Sequence, residues 1–266
     1  MIIDTHCHVG VNWFEPVESL LFQMNENGVE KALIVQHGGS YDHDYIFSCF
    51  KSYPEKFRIV ALVDWSSKDK IIQLEKLKKR GAVGIRIYLN KDLFSEAGMN
   101  FCKRMAELDL KASVAGNLES FASDEFRLLI ERCPDESFII EHLANVGSYI
   151  EARRDQENVN MRLFEKVLEL SRYPNVFMKI PGLGELNPRP IVLHETRPFN
   201  FDKLDLIKKS LNAFTSKKLM WGSDYPPVSN REGYRNALNG VRSLDVISDI
   251  EAKDIFNSVP AKLFFY

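Results

Sequence analysis

Short apolar and β-branched runs recur along the chain at residues 2–8, 29–37, 57–64, 82–89, 112–115, 137–143, 175–180 and 218–223. Runs of this kind, apolar on both faces, are those of strands covered on both sides. Between them, at residues 17–27, 69–80, 99–108, 123–132, 161–171 and 202–214, apolar positions return every three or four residues, the period of an amphipathic helix. Strands alternating with helices imply right-handed crossovers and a parallel sheet, which eight units either close into a barrel or leave open. No GxGxxG follows the first strand and no GxxxxGK[ST] occurs, so the common nucleotide-binding open sheets lack their fingerprints. The pattern predicts a (β/α)8 TIM barrel, one α/β domain spanning residues 1–266.

Composition agrees with a single large core. Hydrophobic residues make up 45% of the 266 and charged residues 27%, which excludes disorder. A net charge of −2 argues against a nucleic-acid or membrane-surface partner. The four cysteines show no CxxC spacing and read as reduced thiols. No basic segment leads into an apolar stretch at the N-terminus, and no apolar run approaches the roughly 20 residues that span a bilayer, so a cytoplasmic protein is expected. Two long connections, 144–160 and 181–200, each follow a strand and are expected to overhang the barrel face where sites form.

Chemistry concentrates at strand ends. Ile2-Ile3-Asp4-Thr5-His6-Cys7-His8 is an apolar strand closing on two histidines. A rise of roughly 3.3 Å per residue with period two puts their Cβ atoms on one face about 7 Å apart, close enough to converge on one ion or one oxygen. Asp4 shares that face, deeper in. An isolated HxH is equally two hydrogen-bonded histidines in a barrel interior; position decides between them. His142 closes the run 138–143, and Asp224 follows the run 218–223. Parallel barrel strands present their C-termini to one mouth, so His6, His8, His142 and Asp224 are expected to meet there, a donor set suited to zinc.

The ordered motifs DTHCH, GIRIYL with Arg86, FIIEHLA with His142, NVFMKIPGL with Lys179 and LMWGSDYP with Asp224 cover essentially the whole chain. On these the sequence resembles the amidohydrolase superfamily, specifically the amidohydrolase-related branch of TIM-barrel hydrolases, lactonases and decarboxylases. GSDYP, the lysine strand and EHL look most like the sugar-lactone and pyrone-dicarboxylate lactonases. The fifth strand ends without an inward Lys, His or Glu to bridge two ions, so the resemblance implies at most one divalent metal, zinc, with His6, His8, His142 and Asp224 as ligands. It also implies a metal-free version, in which the histidines polarise the carbonyl directly. In both, Asp224 is the general base.

Arg86, in an apolar run, needs an anion, either a substrate carboxylate or a structural acid such as Asp64 or Glu141. Lys179 invites the same argument. His194 and Arg197, on the connection 181–200, either bind substrate or face solvent. His37 and Trp13 are lesser candidates, and His43 is expected at the surface. The reading is a hydrolase of a small, anionic cyclic ester with catalytic His6, His8, His142 and Asp224 and substrate-binding Arg86, Lys179, His194 and Arg197. A homodimer remains open. The rivals are a decarboxylase on the same barrel and a non-catalytic ligand-binding barrel, the latter disfavoured by the cost of desolvating so many polar strand ends without a task.

Overall fold

The computed structural model describes residues 1–147, 160–186 and 204–266. Eight strands, β1 (Ile3–Cys7), β2 (Lys31–Val35), β3 (Phe57–Leu62), β4 (Ala82–Tyr88), β5 (Lys111–Ala115), β6 (Phe138–Ile140), β7 (Val176–Ile180) and β8 (Leu219–Trp221), pair in sequence order, each parallel to the next. The seam between β8 and β1 is closed just past the strand ends. There the Asp224 N–H donates to the His6 carbonyl at 2.8 Å, and the His8 N–H donates to the Tyr225 carbonyl at 2.7 Å. This is the (β/α)8 TIM barrel that the alternation predicts.

Helices follow the strands. Those at Val17–Glu26, Lys70–Arg80, Asp124–Arg132, Met161–Leu168 and Leu204–Phe214 answer to expected amphipathic stretches. The stretch expected from 99 begins at Glu96, because Ser95 caps it by accepting from the Gly98 N–H. The helices Asp44–Ser52 and Tyr234–Arg242 were not anticipated by the periodicity. All four cysteines are buried and unpaired, as reduced thiols would be.

Strand alternation divides the core in two. Outward-facing residues such as Ala32, Ile34, Ile85, Val114, Phe138, Met178 and Trp221 join the helices in the main core. Inward-facing Leu33, Val35, Val60, Ile139 and Met220 form a second cluster, completed by Val259 and Phe264 of the helix Val259–Phe264. Along several inward rows the residue type changes from apolar to polar toward the C-terminal end: Ile139 precedes Glu141, Phe177 precedes Lys179, and Met220 precedes Asp224 with Gly222 between. The barrel is thus apolar at one end and charged at the mouth.

At the seam, Asp4 ties β1 to the end of β8. Its carboxylate accepts from the Ser223 N–H (2.9 Å), the Ser223 hydroxyl (2.6 Å), the Tyr234 hydroxyl (2.9 Å) and the His6 N–H (3.1 Å). Burial still pushes Asp4 upward, these four hydrogen bonds offsetting only part of the desolvation. Gly222 permits the close approach, since a Cβ there would lie 2.7 Å from the His6 Cβ and 3.1 Å from its backbone nitrogen.

Gly222→Ala is therefore expected to force β8 away from His6 and to lower unfolding stability by about 1–3 kcal/mol. Urea denaturation at neutral pH measures this, and an unchanged midpoint would show that the seam tolerates the methyl group.

Candidate active site

The site grows from the inward row of β1. The Nδ1–H of His8 donates to the Val35 carbonyl of β2 at 2.6 Å, which turns Nε2 toward Asp224, 3.5 Å from its Oδ1. His6 sits edge-on to His8, ring centroids 4.9 Å apart. Its Nδ1 meets Lys179 Nζ at 3.2 Å and lies 3.7 Å from Glu141 Oε1, while its Nε2 is buried with no hydrogen-bond partner among the described residues. Burial, followed by the field of Lys179, holds His6 well below the usual imidazole range, so it is neutral.

β6 ends at Ile140, earlier than expected, and His142 stands beyond it. His142, Leu143, Ala144 and Asn145 all have positive φ, between 49° and 59°, a left-handed turn built without glycine. Each such residue costs about 1–2 kcal/mol. The turn brings the His142 ring to 4.5 Å from that of His6, although the strand itself does not reach it. Asp224 is also left-handed, at φ 57°. Backbone strain at positions carrying site residues is typical of functional sites.

Behind the histidines runs a closed polar network. Glu141 Oε2 accepts from Arg86 Nη2 (2.8 Å) and Nε (3.2 Å), and Oε1 accepts from the Ser113 hydroxyl (2.7 Å). Lys179 donates to that same hydroxyl oxygen at 2.9 Å. Burial raises Glu141, but Arg86 and then Lys179 outweigh it and bring the carboxyl down to about 2. Burial lowers Lys179 to about 8. Of the two structural acids named for Arg86, Asp64 and Glu141, the structure supplies Glu141; the arginine side chain keeps 13% of its surface exposed. Lys179, 1% exposed, is directed at His6 and Ser113.

Two residues escaped the sequence reading. Glu185, on the short helix Leu183–Leu186, lies 3.2 Å from His142 Nδ1. Burial lowers His142, and the Glu185 carboxylate more than reverses this, holding the imidazole above its ordinary range. Arg231 reaches Asp224 Oδ2 at 3.2 Å and Glu185 Oε2 at 3.6 Å, spanning the connections after β7 and β8. Burial raises Asp224, but His8, His142 and Arg231 outweigh it, so the carboxylate is held low. No periodicity marks either residue, because both lie beyond strand ends.

Among lesser candidates, His43 is buried, contrary to its expected surface position. Its Nε2 accepts the Leu62 N–H at 3.0 Å, which a solvated imidazole would not do. His37 is half-buried, edge-on to Phe14, and Trp13 is exposed. His194 and Arg197 lie outside the described residues, as does most of the connections 144–160 and 181–200.

The donors fit a divalent cation. His6, His8 and Asp224 bring ligand atoms within 4.8 Å of one another, and His6, Glu141 and His142 do the same. His6 Nε2 is buried and without a partner among the described residues, and His8 in its neutral form, with its Nδ1 hydrogen held by Val35, would offer Nε2 to the ion. While Lys179 is an ammonium donating to His6 Nδ1, the ring proton sits on Nε2. For Nε2 to act as a ligand, Lys179 must instead accept from Nδ1.

A family model for amidohydrolases matches residues 3–266, and the chain therefore belongs to the amidohydrolase family. It is 22% identical over 214 residues to 4-sulfomuconolactone hydrolase of Hydrogenophaga intermedia, a match covering 79% of this chain and 65% of that protein, so the chain spans just under two thirds of that curated relative's length. The fold is shared with a probable 2-pyrone-4,6-dicarboxylic acid hydrolase from Acinetobacter baumannii, solved with citric acid bound, at a TM-score of 0.75 and 20% identity over 100% of this chain and 99% of that one. It is shared too with an amidohydrolase from Burkholderia multivorans carrying bound zinc, at a TM-score of 0.79 and 15% identity, covering 99% and 98% of the two chains.

The buried Glu141 carboxylate sets an acid limit to stability. Its folded value of about 2 lies below its ordinary 4.5, so it contributes stability above pH 4.5 that is lost as pH falls toward 2. By linkage this amounts to on the order of 3 kcal/mol. Unfolding free energy measured from pH 7 downward is expected to fall through that window, and Glu141→Gln to flatten this part of the curve while lowering stability at pH 7 by about 3–5 kcal/mol through the stranded Arg86.

Proposed function

We propose that this amidohydrolase-family chain opens a small lactone carrying carboxylate or hydroxyl substituents, by attack of water on the ring carbonyl. The observation that carries the reading is the convergence of His6, His8 and Asp224 at the mouth, with the buried Nε2 of His6 lacking a partner among the described residues. A donor left unpaired there is costly unless a ligand or substrate oxygen meets it. The names of the relatives, a sulfomuconolactone hydrolase and a probable pyrone-dicarboxylic acid hydrolase, support a cyclic ester as substrate.

Each side chain then has a task. Asp224, ionised and oriented by Arg231 and His8, takes the proton of the attacking water. In the version without an ion, His142, raised by Glu185, donates in its protonated form to the oxygen on which negative charge develops, and neutral His6 donates through Nε2 while Lys179 holds its Nδ1; to hold an ion, both rings must instead be neutral with a nitrogen lone pair turned to it. Because Asp224 is held low it is a weak base, so the water it deprotonates must be acidic. One divalent ion, zinc by the donor set, held by His6, His8, Asp224 and His142, would supply that by bringing a water to roughly pKa 7 and polarising the carbonyl. Arg86, through its exposed edge, holds an anionic substituent of the substrate, with His194 and Arg197 contributing from the connection after β7. Lys179 acts through His6. The four free, buried thiols support placement in a reducing compartment such as the cytoplasm.

A panel of lactones read by a pH indicator, with elemental analysis of the purified protein, tests the reading; acid release from none of them would end it. On whichever lactone is turned over, Asp224→Asn is expected to lower kcat by on the order of a thousandfold with an unchanged melting temperature. A variant retaining wild-type kcat would remove Asp224 as the base. Arg86→Ala should depress kcat/KM by on the order of a hundredfold for a carboxylated lactone, and Arg86→Lys should restore it only in part, since a point charge loses the bidentate fork.

A further inference from the structure

The connection after β1 presents large apolar residues beside the site. Val11 is 69% exposed and Trp13 is 66% exposed, yet the segment between β1 and the helix Val17–Glu26 is tightly built. The Gly10 N–H donates to the Glu15 carbonyl at 3.0 Å and closes it. A Cβ on Gly10 would lie 2.1 Å from the Trp13 carbonyl oxygen, so only glycine allows the chain to fold back this far.

Phe14 holds the segment against the site at a cost. It adopts φ 70°, a left-handed conformation that a β-carbon disfavours. Its ring lies nearly parallel to that of His8, at 13° with centroids 5.0 Å apart, and edge-on to His37 at 5.2 Å. Trp13 follows at 6.1 Å from Phe14. Contact with His8 and His37 thus fixes the segment where it leaves an indole uncovered beside the mouth. Loops that are slack hide such a side chain or let it wander. This one is braced by a ring-closing hydrogen bond and by the two ring contacts of Phe14, which together fix the backbone that carries Trp13.

The geometry points to Trp13, braced by Phe14, as a specificity-determining wall for the flat face of an unsaturated lactone ring. The assignment rests on the lactonase reading of the site. A planar conjugated ring can lie on an indole face, whereas a puckered saturated ring of the same size and charge presents axial hydrogens and loses most of that overlap. Arg86, at the exposed end of its network, would meet a carboxylate on the same ring. The charge chemistry then selects an acid, and the Trp13 wall selects flatness.

The test compares 2-pyrone-4,6-dicarboxylate with its saturated counterpart, tetrahydro-2-pyrone-4,6-dicarboxylate, on wild-type, Trp13→Ala and Trp13→Phe proteins. Trp13 is exposed at the surface, so both variants are expected to fold with the wild-type melting temperature. Trp13→Ala should lower the ratio of kcat/KM for the planar over the saturated ring about tenfold, through KM, and Trp13→Phe should restore most of it. Binding of the planar compound should also quench tryptophan emission in wild-type protein and not in Trp13→Phe, whether or not the ring is opened. Quenching without turnover would leave the wall standing and end the lactonase reading. Equal loss for both rings, no loss for either, or no Trp13-dependent quenching would overturn the wall while leaving hydrolysis to be judged on its own rates.

Discussion

The buried carboxylate of Glu141 is the interaction on which the mouth of the barrel depends. Arg86 from β4, Ser113 from β5 and, at longer range, His6 from β1 and Lys179 from β7 all orient on it. A barrel interior of this size has no water to spare for isolated charges, so cations on neighbouring strands are tolerable only because an anion stands among them. The arrangement keeps His6 neutral and sets which of its ring nitrogens carries the hydrogen. Structural pairing and chemistry are thus the same network seen from two ends.

Among the described residues the charges at the mouth are largely paired. Arg86 answers Glu141, Arg231 answers Asp224 and Glu185, and His142 answers Glu185. An anionic substrate would be met by guanidinium edges already engaged in ion pairs, so recognition of charge there depends on geometry more than on an excess of positive field. This also explains why shape, carried by the aromatic residues of the first connection, has room to matter.

The barrel was legible because its strands are buried on both faces and its helices are amphipathic, two periods that survive in the bare order of residues. The HxH pair and Asp224 were legible for the same reason: a strand's alternation assigns a face, and parallel strands assign an end. What the sequence did not disclose lies off the strands. Glu185 and Arg231 act from connections, where no period links position to direction. The left-handed turn at His142–Asn145 contains no glycine to announce it, and the strand was read through it. His43 looked like a surface histidine because its partner, the Leu62 N–H, is 19 positions away. The choice between substrate and Glu141 as the partner of Arg86 required knowing which acid shares its layer, 55 positions distant.

The seam between β8 and β1 has a consequence for the order of events in the cell. Asp4 and Ser223, which clasp it, are 219 positions apart in the chain. A polypeptide leaving the ribosome carries His6 and His8 for more than 200 further residues before the aspartate that completes their set is made. During that time the histidines of β1, and later His142, lack the carboxylate that completes the set. The full donor set exists only where β8 has docked on β1, so the chemistry of the mouth and the closure of the barrel are one requirement.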